Sequence, residues 1–129
     1  MLELSGIYKT YDANLPTRTE LFRGLDFAVE QGEFVSIVGS NGSGKTTLLN
    51  IIAGTVEPDA GSIALLGRNV SRVKEYRRAR HIARVFQDPK MGTCPIMTVA
   101  ENLAMATRKG RPYGLTIALK RREKSKYRD

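Results

Sequence analysis

Cys94 is the only cysteine in the chain. No intrachain disulfide is therefore possible, and the cysteine framework of a small secreted domain is excluded. No apolar run approaches the roughly 18 residues a membrane span requires. The opening Met1-Leu2-Glu3-Leu4 lacks the basic-then-apolar layout of a secretory signal. These absences together point to a cytoplasmic chain. Internal repeats are absent, and His81, the single histidine, has no partner at metal-binding spacing. It reads as a surface residue, Cys94 as a small packing residue, and Met97 and Met105 as core or interface filler.

What is present is ordinary globular composition: 129 residues, 41% hydrophobic and 26% charged, enough for one modest domain. The net charge of +8 invites a nucleic-acid reading, but its distribution argues otherwise. Residues 108–129 hold nine Lys or Arg against Glu123 and Asp129, whereas residues 1–107 are nearly balanced. The run Lys120-Arg121-Arg122-Glu123-Lys124-Ser125-Lys126 carries no interleaved aromatics for base stacking. It reads as a solvated face or frayed end, with no nucleic-acid partner expected.

Alternation and turn signals divide the chain. Leu2–Tyr8 suits an early strand, residues 12–18 a polar loop, and Leu21–Val29 a second strand that Gly32 turns toward Glu33–Val38. That last stretch is apolar and β-branched, readable as a buried strand. Thr46–Gly54 predicts a helix stopped by its glycine. Pro58, Asp59 and Gly61 predict a turn, Ser62–Leu66 a strand, Arg72–Arg80 a basic helix, and Ile82–Phe86 a further strand. After a loop over 88–97, Thr98 with Glu101 three residues on has capping-box spacing, opening a helix to about Ala106.

Between the strand at 33–38 and the helix stands Gly39-Ser40-Asn41-Gly42-Ser43-Gly44-Lys45-Thr46. This matches G-x-x-x-x-G-K-[ST] without a mismatch, in the strand–loop–helix context that makes the pattern a site. Gly39, Gly42 and Gly44 permit backbone angles that a side chain forbids. Successive N–H groups can then face one anion, helped by a helix N-terminus worth about +0.5 of a charge. Lys45 is suited to the β and γ phosphates, the Thr46 hydroxyl to Mg²⁺, and Thr47 to the α-phosphate.

The residues around this loop resemble the ATP-binding subunits of ATP-binding cassette (ABC) transporters, over nearly all of 2–107. Tyr11 follows the first strand; Gly39 to Thr47 includes Asn41; Ile52-Ala53-Gly54, Glu57-Pro58 and Gly61-Ser62-Ile63 follow in order. Val85-Phe86-Gln87 stands 42 residues after Lys45, and Thr98-Val99-Ala100-Glu101-Asn102-Leu103 closes the series. The resemblance implies an α/β fold: a P-loop NTPase (RecA-like) core with an N-terminal antiparallel β subdomain, incomplete at the C-terminus. Residues 1–88 would form the β subdomain and core, and 89–129 the start of a helical subdomain with a basic tail. It implies adenine stacking by Tyr11, which on its own could equally be a strand-end packing residue. It implies that Gln87 reaches Mg²⁺ and the attacking water, where the bland reading is a strand cap. Expected cofactors are ATP and Mg²⁺. Expected partners are transmembrane permease subunits and a second ATP-binding subunit, on the inner face of the cell membrane. Gly92-Thr93-Cys94-Pro95 is similar to an importer-like subgroup handling amino acids or related small molecules.

After Gln87 the family would further require a Leu-Ser-Gly-Gly-Gln signature, an apolar strand ending in Asp-Glu, and a switch histidine. The apolar run Leu115–Leu119 leads instead into Lys120-Arg121-Arg122. The chain thus reads as the N-terminal part of such a subunit, able to bind nucleotide but expected to hydrolyse it poorly. An uncovered apolar surface and poor solubility are expected too. Rival readings are a non-catalytic nucleotide-binding remnant and another P-loop enzyme. A GTPase would be expected to show Asn-Lys-x-Asp, which is absent.

Overall fold

The computed structural model describes residues 1–12 and 15–107. The basic stretch, with Leu115–Leu119 inside it, lies outside the described residues. The chain divides into two compact units, Met1–Arg78 and a second that begins at Ala79.

The first unit is built on an antiparallel sheet in the order β2-β1-β3-β4. Its strands are β1 (Leu2–Tyr11), β2 (Thr19–Val29), β3 (Ala60–Leu65) and the short β4 (Arg68–Asn69). Leu4 stands opposite Phe27 on one side and Ile63 on the other. Leu4 and Ile7 are an odd number of residues apart, so a regular strand would send them to opposite faces. Both are nonetheless fully buried. A register shift between them re-aims the strand at Gly6, whose φ is +57°. The Gly6 N–H leaves the ladder and donates to Asp26 Oδ1 at 2.7 Å. β3 and β4 are joined by Leu66 and Gly67, both at positive φ, the I′ geometry that matches the twist of a hairpin.

Against one face of this sheet lies α1 (Lys45–Ala53). Leu48 and Ile51, three residues apart and so on one helix face, join Leu4, Ile7 and Ile63 in the core. Phe22, Leu25, Phe27 and Ile37 pack around them. The predicted basic helix shrinks to one turn, α2 (Glu75–Arg78). Its sequence has no apolar stripe to sustain more turns.

Two predicted strands do not form. Residues 33–38 and 82–86 belong to no strand. Their β-branched, apolar character marks a preference for burial, but a strand exists only through ladder partners. Among the described residues no segment pairs with either. Phe34 is 94% exposed, Val38 86% and Val85 96%.

The second unit opens with that irregular stretch. A 3₁₀ turn follows at Pro89–Gly92, where the Asp88 carboxylate accepts from the Lys90 N–H at 2.9 Å. Then comes α3 (Val99–Thr107). The capping box is realised: the Thr98 N–H donates to Glu101 Oε2 at 2.8 Å and the Glu101 N–H to Thr98 Oγ1 at 3.3 Å.

Candidate phosphate-binding site

The loop Gly39–Gly44 is closed by its own lysine. Lys45 Nζ turns back and donates to the carbonyls of Gly39 and Ser40, both at 2.7 Å. A turn from the Ser43 N–H to the Ser40 carbonyl, 3.2 Å, shapes the middle. Gly42 and Gly44 have φ of +82° and +95°. Gly44 is doubly constrained, because a Cβ there would lie 2.8 Å from Phe22 Cζ on the sheet. The loop thus meets α1 at a point where only glycine fits, by angle and by space.

α1 starts without help. Gly44 is its N-cap, no side chain caps the first turn, and that turn contains no acid. The early N–H groups of a helix need partners from outside it. No side chain among the described residues competes for them, and the helix dipole favours an anion at this end. Ser40, Asn41, Ser43 and Thr46 are exposed around the loop, with Lys45 and Thr47 half-buried. The Thr46 hydroxyl is a hard oxygen at the first turn, the donor type that Mg²⁺ takes beside phosphate oxygens.

The far end of α1 is anchored by a residue that sequence reasoning missed. Arg78 is 2% exposed. Its Nη1 donates to the Ile51 carbonyl at 2.9 Å and the Ile52 carbonyl at 3.0 Å. Nε reaches Val73 O at 2.7 Å and Nη2 reaches Ser71 O at 3.0 Å. Two of these acceptors are carbonyls of the last helical turn, where a cation is favoured; Ile51's also accepts the Gly54 N–H at 3.2 Å. Burial lowers the Arg78 pKa, with the Glu57 charge opposing. Gly54, at φ +87°, ends the helix against this guanidinium: a Cβ would fall 2.8 Å from Arg78 Nε. In the sequence Arg78 is one arginine in a basic run, and nothing in spacing or composition separates it from its exposed neighbour Arg77.

Tyr11 ends β1 in the same unit, 40% exposed, followed by Asp12 at φ +55°, which turns the chain away. Gln87 belongs to the second unit, where it is exposed. Beside it the Arg84 guanidinium lies over the Phe86 ring at 4.7 Å. The Thr98–Leu103 block has a clear local purpose. Asn102 Oδ1 accepts the Cys94 N–H at 2.7 Å, and Asn102 Nδ2 donates to the carbonyls of Cys94 and Met97 at 3.1 and 3.2 Å. One carboxamide thus ties the turn before α3 to the helix. Among the described residues no group of His, Cys, Asp and Glu is arranged to hold a metal.

Known proteins are similar to this chain. The chain is 43% identical over 120 residues to a tyrosine transport ATP-binding protein of Clostridioides difficile (strain R20291), covering 93% of this chain and 48% of that protein. It is 48% identical over 99 residues to an sn-glycerol-3-phosphate import ATP-binding protein of Cereibacter sphaeroides, 77% of this chain and 25% of that protein. A bacitracin export ATP-binding protein of Halalkalibacterium halodurans is 38% identical over 109 residues, 81% of this chain and 42% of that one. Among solved structures, a dimeric ATP-binding cassette in a post-hydrolysis state, bound to ADP and Pi, matches with a TM-score of 0.73 and 27% identity. That match covers 90% of this chain and 50% of the cassette. The chain therefore spans about half, or less, of the length of these relatives. The family model described as ABC transporter matches residues 22–128; with the glycine loop, its returning lysine and the uncapped helix behind it, the chain belongs to the ABC transporter family.

Proposed function

We propose that this chain binds ATP with Mg²⁺ at Gly39–Thr47, as part of a subunit that couples ATP hydrolysis to solute transport across a membrane. The observation that carries the reading is the pairing of an uncapped helix N-terminus with Lys45 held over the loop at Gly39 and Ser40. Main-chain N–H groups of Ser40 to Thr47 would receive the phosphate oxygens. Lys45 would exchange two neutral carbonyls for charged oxygens, the stronger acceptors. Thr46 would supply one hydroxyl for the metal. The metal would neutralise phosphate charge. Tyr11 offers its ring to adenine. Residues 1–88 would serve as β subdomain and nucleotide core, and 89–129 would open the helical subdomain.

A dimeric cassette among the neighbours supports a second ATP-binding subunit as partner. Relatives named as transport subunits support docking on transmembrane permeases at the inner face of a membrane. No helix among the described residues is long and apolar enough to cross a membrane, in keeping with a peripheral role. For cargo we favour amino acids or related small molecules, on the Gly92–Pro95 segment and the similarity to the tyrosine transport protein.

Calorimetric titration with ATP and GTP in the presence of magnesium tests the reading. Binding of ATP in preference to GTP is expected. No heat from ATP with folded protein, or a clear preference for GTP, overturns it.

A further inference from the structure

The geometry points to Lys9 as a positioning residue for the base: clamped by Asp59, its ammonium covers one face of the Tyr11 ring and leaves the other for adenine. This rests on the adenine role proposed for Tyr11.

Lys9 and Tyr11 are two apart on β1, with a register shift between Lys9 and Thr10. Lys9 Nζ lies 5.5 Å from the Tyr11 ring centroid, within cation–π range. A surface lysine ordinarily has no fixed partner, but this one has two. Nζ donates to Asp59 Oδ1 at 2.8 Å and to the Glu57 carbonyl at 3.0 Å. The Lys9 side chain is only 15% exposed as a result.

Asp59 is itself fixed. Its pairing partner strand β3 begins at Ala60, opposite Tyr8, so β1 runs on past the ladder. Asp59 continues it: its N–H donates to the Tyr8 carbonyl at 2.9 Å and its Oδ2 accepts the Thr10 N–H at 2.6 Å. One carboxylate therefore holds both the backbone before Tyr11 and the cation over its ring.

The physical consequence is pre-organisation. With the ring held, less rotamer freedom remains to be lost when a base stacks on it. A cation on one face also decides which face is open. The phosphate loop is untouched by these contacts, so the effect is confined to the base.

The test separates base from phosphate by titrating the full chain with magnesium ATP and, separately, with inorganic tripolyphosphate. Lys9→Met is expected to weaken ATP about two- to tenfold and to leave tripolyphosphate unchanged. Asp59→Asn keeps an acceptor for the Thr10 N–H while removing the anion that holds Lys9, and should give the same selective loss. Lys9→Met added to Tyr11→Ala should cost nothing beyond Tyr11→Ala alone. Equal weakening of both ligands, no weakening of ATP, or independent penalties in the double variant overturns the Lys9 role. If Tyr11→Ala alone leaves ATP binding intact, the adenine reading itself fails and takes the Lys9 role with it.

Discussion

Arg78 Nη1 and the main-chain carbonyl of Ile51 meet at 2.9 Å out of contact with water. That bond ties the last turn of the helix that carries the phosphate loop to the end of the first compact unit. Arg78→Met removes a buried charge, which is favourable, but takes the donor from four carbonyls, of which, among the described residues, only Ile51's keeps a second partner, the Gly54 N–H at 3.2 Å. With each unsatisfied buried group costing about 1–3 kcal/mol, the second effect wins, for a net loss of about 2–4 kcal/mol. Arg78→Lys should recover only part, because an ammonium lacks the planar fork that reaches acceptors on both sides. Urea unfolding midpoints measure both. A Lys variant as stable as the parent would contradict the fork argument.

Lys45→Ala should lower affinity for magnesium ATP by at least about tenfold, the worth of one charge-assisted bond. Far-UV circular dichroism should stay the same, since α1 is held by Leu48, Ile51 and Arg78 and not by the lysine. Undiminished binding would mean that the loop is not where nucleotide sits.

The Asp59 carboxyl is held below the usual carboxylate range, first by its hydrogen bond from Lys9 and then by the Thr10 N–H. A carboxyl with a depressed folded-state pKa takes up protons more readily when unfolded. Acid therefore favours unfolding, and the stabilisation it supplies is complete above about pH 4 and fades as the pH falls below that. The melting-temperature gap between the parent and Asp59→Asn should be widest near neutrality and close as the pH is lowered toward 3. A gap that does not change with pH would show that the charge on Asp59 is irrelevant.

Thr98→Ala deletes one half of the capping box on α3. The expected cost is about 1 kcal/mol, felt by the second unit and readable as faster amide exchange in α3. Nucleotide binding at the glycine loop should not respond. Exchange rates equal to the parent's would show that the box adds nothing.

Phe34 and Val38 stand in water almost entirely. Isolated chains should therefore bind a hydrophobic dye and associate as concentration rises. Phe34→Lys with Val38→Thr should suppress both without lowering ATP affinity. A fully monomeric parent at high concentration, with no dye signal, would count against the exposed surface.

Much of this was legible from local pattern. The glycine loop, the capping box and the alternation in β1, β2 and β3 are encoded within a few residues each, and the structure places them accordingly. The stretches at 33–38 and 82–86 were not, because apolar, β-branched character says that a segment seeks burial and not that a ladder partner is at hand. Arg78 was invisible for the opposite reason. Its role is written in the positions of four carbonyls from two separate stretches of chain, 51–52 and 71–73, and the window of sequence around residue 78 does not contain the helix end it caps. Asp59 was legible as a turn residue only; that its carboxylate extends the ladder of β1 depends on where β3 happens to begin.

On the function proposed above, the inward fold of Lys45 onto Gly39 and Ser40 would bear on the exchange of one nucleotide for the next. An ammonium with a home among two carbonyls is not stranded when its phosphate departs. A triphosphate arriving there would trade places with bonds already made instead of having to build the receptor around itself.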